Sequence, residues 1–505
     1  MIIPNYVLEA LEKLKKAGFE AFIVGGCVRD FLMEKTPKDW DITTNAKPEE
    51  MLLVFPNGKY ENNFGTVLVP IRAELLEGQE KGNLVDVLEI TTYRSEQGYS
   101  DRRHPDEVVF ETEIDKDLER RDFTVNALAL TPEPENSETN DNRRYVTINE
   151  QSYLLIDLFG GEKDIRKKVI RAVGEPSLRF KEDALRMMRA VRFVSQLGFE
   201  LEPKTERAIV KLAGSIKFIS KERIRDELIK ILSSDRPSEG IRLLHDCKLL
   251  QYILPELEEG VGMAQSRHHI FQVYEHNILT LKNCPSTKWQ VRLAALLHDV
   301  AKPRTRRIID GIATFYNHEY IGAKMTQKIM DRLKFSAEDS KTVVNLVKNH
   351  MFYYQVDEVT AASVRRLIVK VGRDNLQDLI HLRMADRVGS GTPKALPYKL
   401  QHLQYMMEKV QNDPVSVKML KISGDDLQSD LHMTPSPKMG AVLDVLLSEV
   451  LEDPERNTKE YLLARAQKLQ ELDLEELRVQ AKEIIKEKRE ADDLNIKRKY
   501  LKNKK

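Results

Sequence analysis

The sequence predicts an α+β protein: a head with a mixed sheet of about five strands, followed by three all-helical regions. Short strand-like runs, separated by glycines and polar turns, are concentrated before residue 160. After residue 175, apolar residues recur at helical spacing, as in LRMMRAVRFVSQLGF and RIRDELIKIL. We therefore predict four domains: the head at residues 1–160, a helical neck at residues 161–265, a third helical domain at residues 266–390 and a helical tail at residues 391–505.

The elements of the head follow in order along the chain. Residues 6–17 predict a helix and residues 19–24 a short strand, after which Gly25 and Gly26 turn the chain into a second helix. The runs KDWDIT, FGTVLVPI and NLVDVLEITTY predict strands, and RRDFTVNALAL resumes an ordered pattern. The stretch TPEPENSETNDNRRY is rich in turn formers and predicts a surface insertion.

Composition excludes several classes of protein. Among 505 residues, Lys plus Arg and Asp plus Glu number 80 each, which argues against a wholly basic nucleic-acid coat but allows a local basic groove. The three cysteines have no CxxC spacing, so we expect neither a disulfide framework nor a zinc knuckle. No run approaches the ~20 apolar residues of a membrane span, and no signal peptide is evident. We expect a cytoplasmic protein without a membrane partner or an obligate protein partner.

The chain ends in a highly charged stretch, AKEIIKEKREADDLNIKRKYLKNKK, which becomes basic at its end. A solvated helix with a frayed end is the simpler interpretation. An RNA contact is the alternative.

Two carboxylates on alternate positions, Asp39 and Asp41, predict a site for a divalent metal. In a strand, residues two apart point to the same face, and two adjacent negative charges repel unless a cation lies between them. Glu89, on a neighbouring strand-like run, is the expected third carboxylate. Asp86 has the opposite strand parity, so only one of these two residues should face the site.

Gly25 and Gly26 would let backbone N–H groups approach triphosphate oxygens at the start of a helix. A glycine pair is also a common turn, and an isolated Asp-x-Asp is often a surface pair. Their combination with the downstream stretch RRDFTVNA is far more specific for a nucleotide site.

Several motifs in a fixed order carry a family resemblance over residues 20–230. GGCVRD, DWDI, EITTYR and RRDFTVNALA, followed by DLFGGEKDIRKKVIRAVG and RFKEDALRMMRAVRFVSQLGF, resemble the class II tRNA nucleotidyltransferases. These enzymes have a DNA polymerase β-like head and add CCA to tRNA 3′ ends. The resemblance implies a tRNA substrate, CTP and ATP as donors, Mg²⁺ as cofactor and pyrophosphate as product.

The resemblance also implies residue roles. Asp39 and Asp41 resemble the metal-binding pair, and we assign Glu89 to the same catalytic group. The implied nucleotide-binding residues are Gly25, Gly26, Arg29, Arg121, Asp122, Asn126, Glu182, Asp183, Arg186, Arg189 and Arg192.

Within that set, Glu182, Asp183 and Arg186 resemble the amino-acid template of the family. A carboxylate accepts from a base amino group and a guanidinium donates to ring nitrogen and carbonyl, which matches the edges of C and A but not of G and U. Asp183 and Arg186 are three apart, so we expect them on one helix face. The alternative is an ordinary exposed ion pair.

Two further segments bear on the reaction by the same resemblance. Asp157, Gly160, Gly161, Asp164 and Arg171 resemble a hinge between head and neck, with an ordinary strand-to-helix turn as the alternative. Family members that add only CC lack a working flexible loop, whereas this chain keeps YRSEQGYSDRRHPDEVVF, which includes Arg102, Arg103 and Pro105, and therefore resembles a full CCA-adding enzyme.

Poly(A) polymerases of the same family are the main alternative. They carry a basic Arg-Arg-Phe stretch in the strand region where this chain has FPNGKYENNFGTVLV, a departure that weakens this interpretation. The basic C-terminal stretch keeps it open.

Histidines and aspartates recur in the third region. LAALLHDVAKP contains His298 and Asp299, and helical patterns elsewhere supply His276, His318, His350 and Asp386. Imidazoles and carboxylates suit Mn, Ni, Fe or Zn. A single histidine on an apolar helix is usually a core residue, but this set resembles the HD phosphohydrolase superfamily. His276, His298, Asp299 and Asp386 would be the first ligands, and His318 and His350 would permit a second metal.

That resemblance implies a metal-dependent phosphatase, nucleotidase or 2′,3′-cyclic phosphodiesterase that repairs damaged tRNA ends. Lys302 and Arg304 either bind phosphate or are solvated. Three alternatives stay open: an inactive HD fold, an HD phosphohydrolase with a vestigial head, and a non-enzymatic tRNA-binding module.

Overall fold

The computed structural model describes most of the chain, in two compact units. One unit contains residues 1–265, 272–282 and 327–340, and the other contains residues 266–271, 283–326 and 341–505. The predicted head and neck thus share one unit, and the four-domain division stays a prediction. The described residues are 3–62, 64–72, 84–97, 107–132, 143–148, 151–265, 270–352, 354, 361–392, 398–410 and 416–477.

The head contains ten strands and four α-helices among the described residues. The strands are β1 (Ala21–Val24), β2 (Asp41–Thr44), β3 (Lys59–Asn62), β4 (Thr66–Arg72), β5 (Leu84–Thr92), β6 (Arg94–Gln97), β7 (Glu107–Phe110), β8 (Ala129–Pro132), β9 (Arg143–Ile148) and β10 (Gln151–Ile156). The helices are α1 (Asn5–Lys16), α2 (Gly26–Leu32), α3 (Pro48–Val54) and α4 (Ile114–Glu119).

Eight of these strands form one mixed sheet in the order β3-β4-β5-β2-β1-β8-β10-β9. The pair β2–β5 is parallel, whereas its neighbours β1–β2 and β4–β5 are antiparallel. The α+β class is confirmed, but the sheet is larger than the predicted five strands. β3 and β9 are edge strands with polar sequences, KYEN and RRYVTI, so their apolar alternation is weak. Both ends of the predicted surface insertion, at β8 and β9, also belong to the sheet.

The transition from β1 to α2 places the glycine pair at the carboxyl end of β1, which is a central strand of the sheet. All four residues of β1 are buried, and Gly25 follows with φ +82°, a conformation that costs little only for glycine. Helix α2 begins at Gly26. The sequence therefore ends a buried strand and starts a helix within one residue, beside the start of β2.

The neck is helical apart from one small parallel strand pair. Its helices are α5 (Gly161–Lys167), α6 (Pro176–Glu182), α7 (Leu185–Leu197), α8 (Pro203–Leu212), α9 (Lys221–Leu232), α10 (Pro237–Asp246), α11 (Leu250–Ile253) and α12 (Pro255–Glu258), and the strands are β11 (Val169–Ile170) and β12 (Glu200–Leu201). Helix α7 packs against α9 and α10 through an almost wholly buried surface.

The remaining described residues are also mainly helical. They form α13 (Val273–Lys282), α14 (Trp289–Leu297), α15 (Lys302–Thr305), α16 (His318–Arg332), α17 (Ala337–Asn349), α18 (Ala361–Val371), α19 (Leu376–Gly389), α20 (Tyr398–Lys409), α21 (Gly424–Leu431), α22 (Pro437–Glu452) and α23 (Lys459–Leu469), with one hairpin, β13 (Arg307–Ile309) and β14 (Ile312–Thr314). The predicted all-α regions thus contain two short strand pairs.

The tail has its own apolar core, which includes Leu427, Val445 and Leu462. The charged stretch after residue 477 lies outside the described residues. Among the helices that the structure describes, none is both long and apolar enough to cross a membrane.

Candidate active sites

The sheet brings two of the three predicted carboxylates side by side. Asp41 is the first residue of β2 and is paired directly with Glu89 of the parallel strand β5. Side chains on directly paired residues project to the same face. Asp86 is engaged elsewhere, since its carboxylate accepts a hydrogen bond of 2.6 Å from the Tyr6 hydroxyl.

Asp39 is exposed and lies two residues before Asp41, the first residue of β2, so the strand does not include both members of the predicted pair. Burial raises the pKa of Asp41; Arg121 opposes this increase and the charge of Asp39 adds to it. Burial also raises the pKa of Glu89, with further increases from Asp41, Glu61 and Asp39. The carboxylates therefore repel one another, as the oxygen ligands of a divalent cation do before the cation binds.

A polar pocket of about 370 Å³ opens beside these carboxylates, within the first unit. Residues of the head form one side and residues of α7 and α9, with the segment before α7, form the other. The lining residues are Gly25, Gly26, Asp41, Arg120, Arg121, Asp122, Asn126, Asp183, Arg186, Arg189 and Arg223.

Gly25 is required by the close approach of two side chains. A Cβ atom at Gly25 would lie 3.0 Å from Nη1 of Arg121 and 3.8 Å from Oδ2 of Asp41. Its φ of +82° also disfavours any other residue. The backbone of the glycine turn therefore lies against both the carboxylate and the arginine of the pocket.

A buried aspartate that the sequence analysis missed holds the arginine pair. Asp117 is fully buried on α4, and its two oxygens accept hydrogen bonds from Arg120 at 2.6 Å and from Arg121 at 3.0 Å. Although burial favours the neutral form, the charges of both arginines outweigh it and lower the pKa of Asp117. An acidic residue three and four positions before an Arg-Arg pair was the available signal.

Arg29 lies behind the pocket instead of lining it. Its Nη1 donates to Oδ1 of Asn126 at 2.6 Å, and its Nε donates to Asp30 at 2.9 Å. The buried guanidinium therefore orients Asn126, which does line the pocket.

An ion pair joins the head to the neck. Nε of Arg189 donates to Oδ2 of Asp122 at 2.6 Å. The charges of Arg189 and Arg186 outweigh the effect of burial and lower the pKa of Asp122. Arg189 was expected among the nucleotide-binding residues; it lines the pocket with Arg186, but it is bound to the Asp122 carboxylate.

Asp183 and Arg186 both line the pocket, but Asp183 is not on the helix that carries Arg186. Helix α6 ends at Glu182, Asp183 has an extended backbone, and its Oδ1 caps α7 by accepting from the N–H of Leu185 at 2.9 Å. The expectation that both lie on one helix face was wrong, because aspartate competes for helix-end hydrogen bonds.

Arg223 on α9 completes this corner and was missed from the sequence. Its Nη2 donates to Oδ2 of Asp183 at 2.6 Å. No local pattern connects residues 40 positions apart, so only the packing of α9 beside α7 reveals the pair.

Glu182 and Arg192 do not line the pocket. Glu182 accepts from Arg186 and, at 3.2 Å, from Arg179. Arg192 donates to Glu227 at 2.8 Å and lies 4.6 Å from the ring centre of Phe193. Both residues therefore support the helices that position Asp183 and Arg186.

Four of the five residues of the predicted hinge, Asp157, Gly161, Asp164 and Arg171, make close contacts, whereas a side chain at Gly160 would meet no atom within 4 Å. Asp157 accepts from the N–H groups of Gly161 at 2.7 Å and Glu162 at 3.0 Å, which caps α5. Asp164 accepts from Thr124 at 2.7 Å and Arg171 at 3.0 Å, which ties α5 to the RRDFTVNA segment. Hinge motion at this joint stays a prediction.

The loop that contains Arg102, Arg103 and Pro105 lies outside the described residues. The strands that flank it, β6 and β7, pair with each other in antiparallel register.

A second cluster of predicted ligands forms in the other unit, with Asp299 at its centre. Nε2 of His298, His318 and His350 lie 3.3, 3.2 and 3.8 Å from the Asp299 carboxylate oxygens. Asp386 is 3.7 Å from His298. Ligand atoms of Asp299, His318 and His350 all lie within 4.8 Å of one another. Within the described residues, the carboxylate oxygens of Asp39, Asp41 and Glu89 do not all lie within this distance of one another.

The backbone holds each of these three imidazoles in the same way. Nδ1 of His298, His318 and His350 lies 2.7 to 2.8 Å from the carbonyl oxygen of the residue three positions earlier. An N–H at Nδ1 leaves Nε2 as the lone-pair atom that points to the cluster, the arrangement of metal-binding histidines.

The charges in this cluster are strongly coupled. Burial opposes protonation of His298, but Asp299 and Asp386 outweigh it and raise its pKa to about 10. Burial and the neighbouring histidines lower the pKa of His350 to about 3. Lys302 is buried, and its Nζ lies 2.5 Å from a carboxylate oxygen of Asp299. The alternative in which Lys302 is solvated is therefore wrong.

Two other predicted residues are placed more simply. His276 is fully buried on α13, which belongs to the first unit, and its role as a ligand stays a prediction. Arg304 is exposed at the end of α15.

Three family models match successive parts of the chain. The poly A polymerase head domain matches residues 21–171, the probable RNA and SrmB-binding site of polymerase A matches residues 198–260, and the HD domain matches residues 273–388. Their order is the one that the motifs predict.

Relatives with known names cover much of the chain. It is 31% identical over 471 residues to the CCA-adding enzyme of Leuconostoc citreum, an alignment that spans 92% of this chain and 97% of that protein. It is 37% identical over 350 residues to the A-adding tRNA nucleotidyltransferase of Deinococcus radiodurans, with 66% of this chain and 74% of that protein covered.

A solved structure agrees with these relatives. The Bacillus stearothermophilus CCA-adding enzyme in complex with CTP matches with a TM-score of 0.67 and 25% identity, over 92% of this chain and 98% of that one. The chain belongs to the family of CCA-adding tRNA nucleotidyltransferases and is an enzyme of the nucleotidyltransferase class, with an HD domain after its RNA-binding region.

Proposed function

We propose that this enzyme adds C, C and A to tRNA 3′ ends from CTP and ATP in the pocket between head and neck. One observation carries the proposal: Asp41, beside Glu89, shares a pocket with Asp183 and Arg186. The pocket thus combines one of the carboxylates proposed for phosphoryl transfer, Asp41, with a pair that can recognise a base edge.

The reaction requires three functions from the chain. The tRNA 3′-oxygen bonds to the α-phosphorus, the bond from that phosphorus to the bridging oxygen of pyrophosphate breaks, and the hydroxyl proton is lost. Asp39, Asp41 and Glu89 suit Mg²⁺, which would activate the hydroxyl and neutralise the leaving group. Arg121 and the N–H groups near Gly25 and Gly26 lie where they can hold the triphosphate.

Base selection would come from Asp183 and Arg186. The Asp183 carboxylate accepts from an exocyclic amino group, and Arg186 donates to ring nitrogen or carbonyl acceptors. Both C and A carry an amino group on this edge. In the described structure Arg223 contacts the same carboxylate, so an incoming base must share or displace that contact.

The experiment is nucleotide addition to tRNA lacking its 3′ CCA, with Mg²⁺ and with CTP alone, ATP alone or both, resolved at single nucleotides. Two additions with CTP and a stop at three with both nucleotides are expected. A long ladder with ATP alone would instead identify a poly(A) polymerase.

A second candidate is addition of the terminal A alone. The 37% identity to the A-adding enzyme of Deinococcus radiodurans favours it. The same assay, repeated with tRNA that ends in CC, distinguishes the two activities. Addition of a single A to that tRNA, with no use of CTP on tRNA lacking CCA, would contradict the CCA proposal and support this one.

For the HD domain we propose hydrolysis of phosphate esters at damaged RNA ends, with a 2′,3′-cyclic phosphate as the test substrate. The convergence of three Nε2 atoms on Asp299 supports this proposal. These donors fit Mn, Ni, Fe or Zn, which would supply an activated water. In the balanced reaction, the water oxygen bonds to phosphorus, one ribose P–O bond breaks and the freed ribose oxygen takes a proton.

Chelation followed by addition of one metal at a time tests this second activity. Cleavage of 2′,3′-cyclic AMP should be lost on chelation and return with one of these metals. Failure with all four metals would contradict it. The proposed partners are tRNA, CTP and ATP. A cytoplasmic location stays a prediction.

A further inference from the structure

A hairpin extends the chain between two residues of the Asp299 cluster. The chain leaves the cluster after Lys302, forms β13 and β14, and returns at His318. The turn, Asp310-Gly311, has φ +52° and +73°, typical of a tight hairpin. Lys302 lies 5.6 Å from the ring centre of Phe315, and the Phe315 carbonyl oxygen lies 2.7 Å from Nδ1 of His318. Both ends of the hairpin are therefore fixed at the cluster.

The composition of the hairpin is unusual for an exposed two-stranded sheet. Residues 304–317 contain three arginines, Arg304, Arg306 and Arg307, all exposed, and one acidic residue. Ile308 and Tyr316 are 65% and 69% exposed. Arginine and exposed apolar or aromatic side chains are the groups that bind single-stranded RNA, through phosphates and through stacked bases.

The two faces of the hairpin have different relations to the cluster. Ile308 pairs with Ala313, so these two residues share one face. Arg306, whose backbone is extended, directly precedes β13 and Phe315 directly follows β14; alternation continued by one residue assigns both to the face of Ile308. Phe315 is the residue that contacts Lys302. Arg307 pairs with Thr314 and lies on the opposite face.

We propose that the face with Arg306, Ile308 and Phe315 binds the last nucleotides of an RNA strand whose terminal phosphate enters the Asp299 cluster. The proposal rests on the phosphohydrolase activity proposed above. Arg306 binds the phosphate that precedes the terminal one, and the apolar side chains contact the adjoining ribose and base. A free mononucleotide has no preceding phosphate, so the hairpin favours RNA ends over free nucleotides.

The test compares two substrates that share the reacting group. One is 2′,3′-cyclic AMP, and the other is a short single-stranded RNA that ends in a 2′,3′-cyclic phosphate. Arg306→Glu should raise KM for the RNA by about tenfold, the loss expected for one contact between charged groups, and leave kcat unchanged. Turnover of 2′,3′-cyclic AMP should not change.

Arg307→Glu is the matched control, because it makes the same charge change one residue away on the other face. It should leave KM for both substrates unchanged. Unchanged turnover of 2′,3′-cyclic AMP by each variant verifies that the unit containing the Asp299 cluster is folded. As a readout independent of turnover, RNA with a 3′-terminal phosphate should protect the bond after Arg306 from trypsin.

The outcomes separate the two proposals. If the wild type cleaves both substrates and neither variant changes KM for the RNA, the hairpin proposal is wrong while the phosphohydrolase stands. Equal losses in both variants would contradict the assigned face. If the wild type cleaves neither substrate, the phosphohydrolase proposal fails, and the hairpin proposal fails with it.

Discussion

Asp41 and Glu89 show how a single pairing in a sheet brings two carboxylates together. The parallel register of β2 and β5 places the two carboxylates side by side, where burial and mutual repulsion raise both pKa values. Such a pair is unfavourable as two anions and favourable around a cation. The same geometry therefore lowers stability without metal and suits the metal-dependent catalysis proposed above.

Replacement of Glu89 by Gln tests this role in catalysis. We expect CTP incorporation to fall roughly 100-fold or more, because a metal ligand that acts in the transition state supplies several kcal/mol. Asp86→Asn is the matched control, since Asp86 lies on the same strand and contacts Tyr6. Retained activity in Glu89→Gln, or an equal loss in both variants, would remove Glu89 from the catalytic group.

The same substitution should change stability in a pH-dependent way. A carboxylate with a raised pKa in the folded state contributes stability below its unfolded-state pKa and loses that contribution as the pH rises through the folded-state pKa. In the presence of a chelator, Glu89→Gln should therefore have a higher Tm than the wild type at pH 7.5.

The difference in Tm should shrink as the pH falls through the raised pKa of Glu89. Because Glu89 is partly exposed, the gain at neutral pH should stay below about 1 kcal/mol. A gain that grows on acidification would contradict the assigned sign.

At the scale of elements, the joint between head and neck depends on close backbone packing. Helix α5 begins at Gly161, directly against the carbonyl of Thr124 in the RRDFTVNA segment. A Cβ at Gly161 would lie 2.2 Å from that oxygen, whereas a Cβ at Gly160 would meet no atom within 4 Å. The two adjacent glycines therefore have different roles. Gly161 allows the close contact with Thr124, and Gly160 adopts a φ of +74°.

Alanine at each position separates these purposes. Gly161→Ala should lower the free energy of unfolding by about 3 kcal/mol through overpacking. Gly160→Ala should lower it by about 1 kcal/mol through left-handed strain alone. Urea denaturation of both variants measures the two values, and a larger loss for Gly160→Ala would show that the joint tolerates a side chain at Gly161.

The Asp299 cluster is built at the ends of helices. His298 follows α14, His318 begins α16 and His350 follows α17, and each imidazole is fixed by a carbonyl oxygen three residues before it. Carbonyl groups near helix ends have spare hydrogen-bonding capacity. A backbone carbonyl thus orients each imidazole: those of Ala295 and Val347 lie in the last turns of α14 and α17, and that of Phe315 lies just before α16.

At the scale of the whole molecule, the two proposed activities use residues of different units. Asp41, Glu89, Asp183 and Arg186 belong to the first unit, and Asp299, His318 and His350 belong to the second. Each set has its own described pocket or cluster. We therefore expect the activities to respond separately to substitution.

Reciprocal variants test this independence. Asp39→Ala should abolish CCA addition while tRNA binding and cleavage of 2′,3′-cyclic AMP remain. His298→Ala with Asp299→Ala should abolish cleavage and leave CCA addition within about twofold of the wild type, a difference below roughly 0.5 kcal/mol. Loss of CCA addition in the folded double variant, judged by circular dichroism and tRNA binding, would contradict two independent sites.

The sequence by itself determined the α+β class, the order of the regions and most of the polar residues of both sites. Glu89 was chosen from its position on a neighbouring strand-like run, and strand parity indicated that Asp86 and Glu89 do not both face the site. Helical spacing with the His-Asp doublet pointed to the Asp299 cluster. These signals are local, since alternation and helical periodicity act over a few residues. The same local signals failed at the polar edge strands β3 and β9 and at Asp183, where a helix ends.

Only the tertiary structure decided which residues meet. It placed Arg223 beside Asp183 and Arg189 against Asp122, while it moved Arg29, Glu182 and Arg192 out of the pocket lining. An ion pair between distant residues needs only complementary charge at one point in space, and that leaves no periodic trace in the sequence. The residue types of the site could therefore be recognised from local sequence patterns, whereas their relative positions depended on tertiary packing.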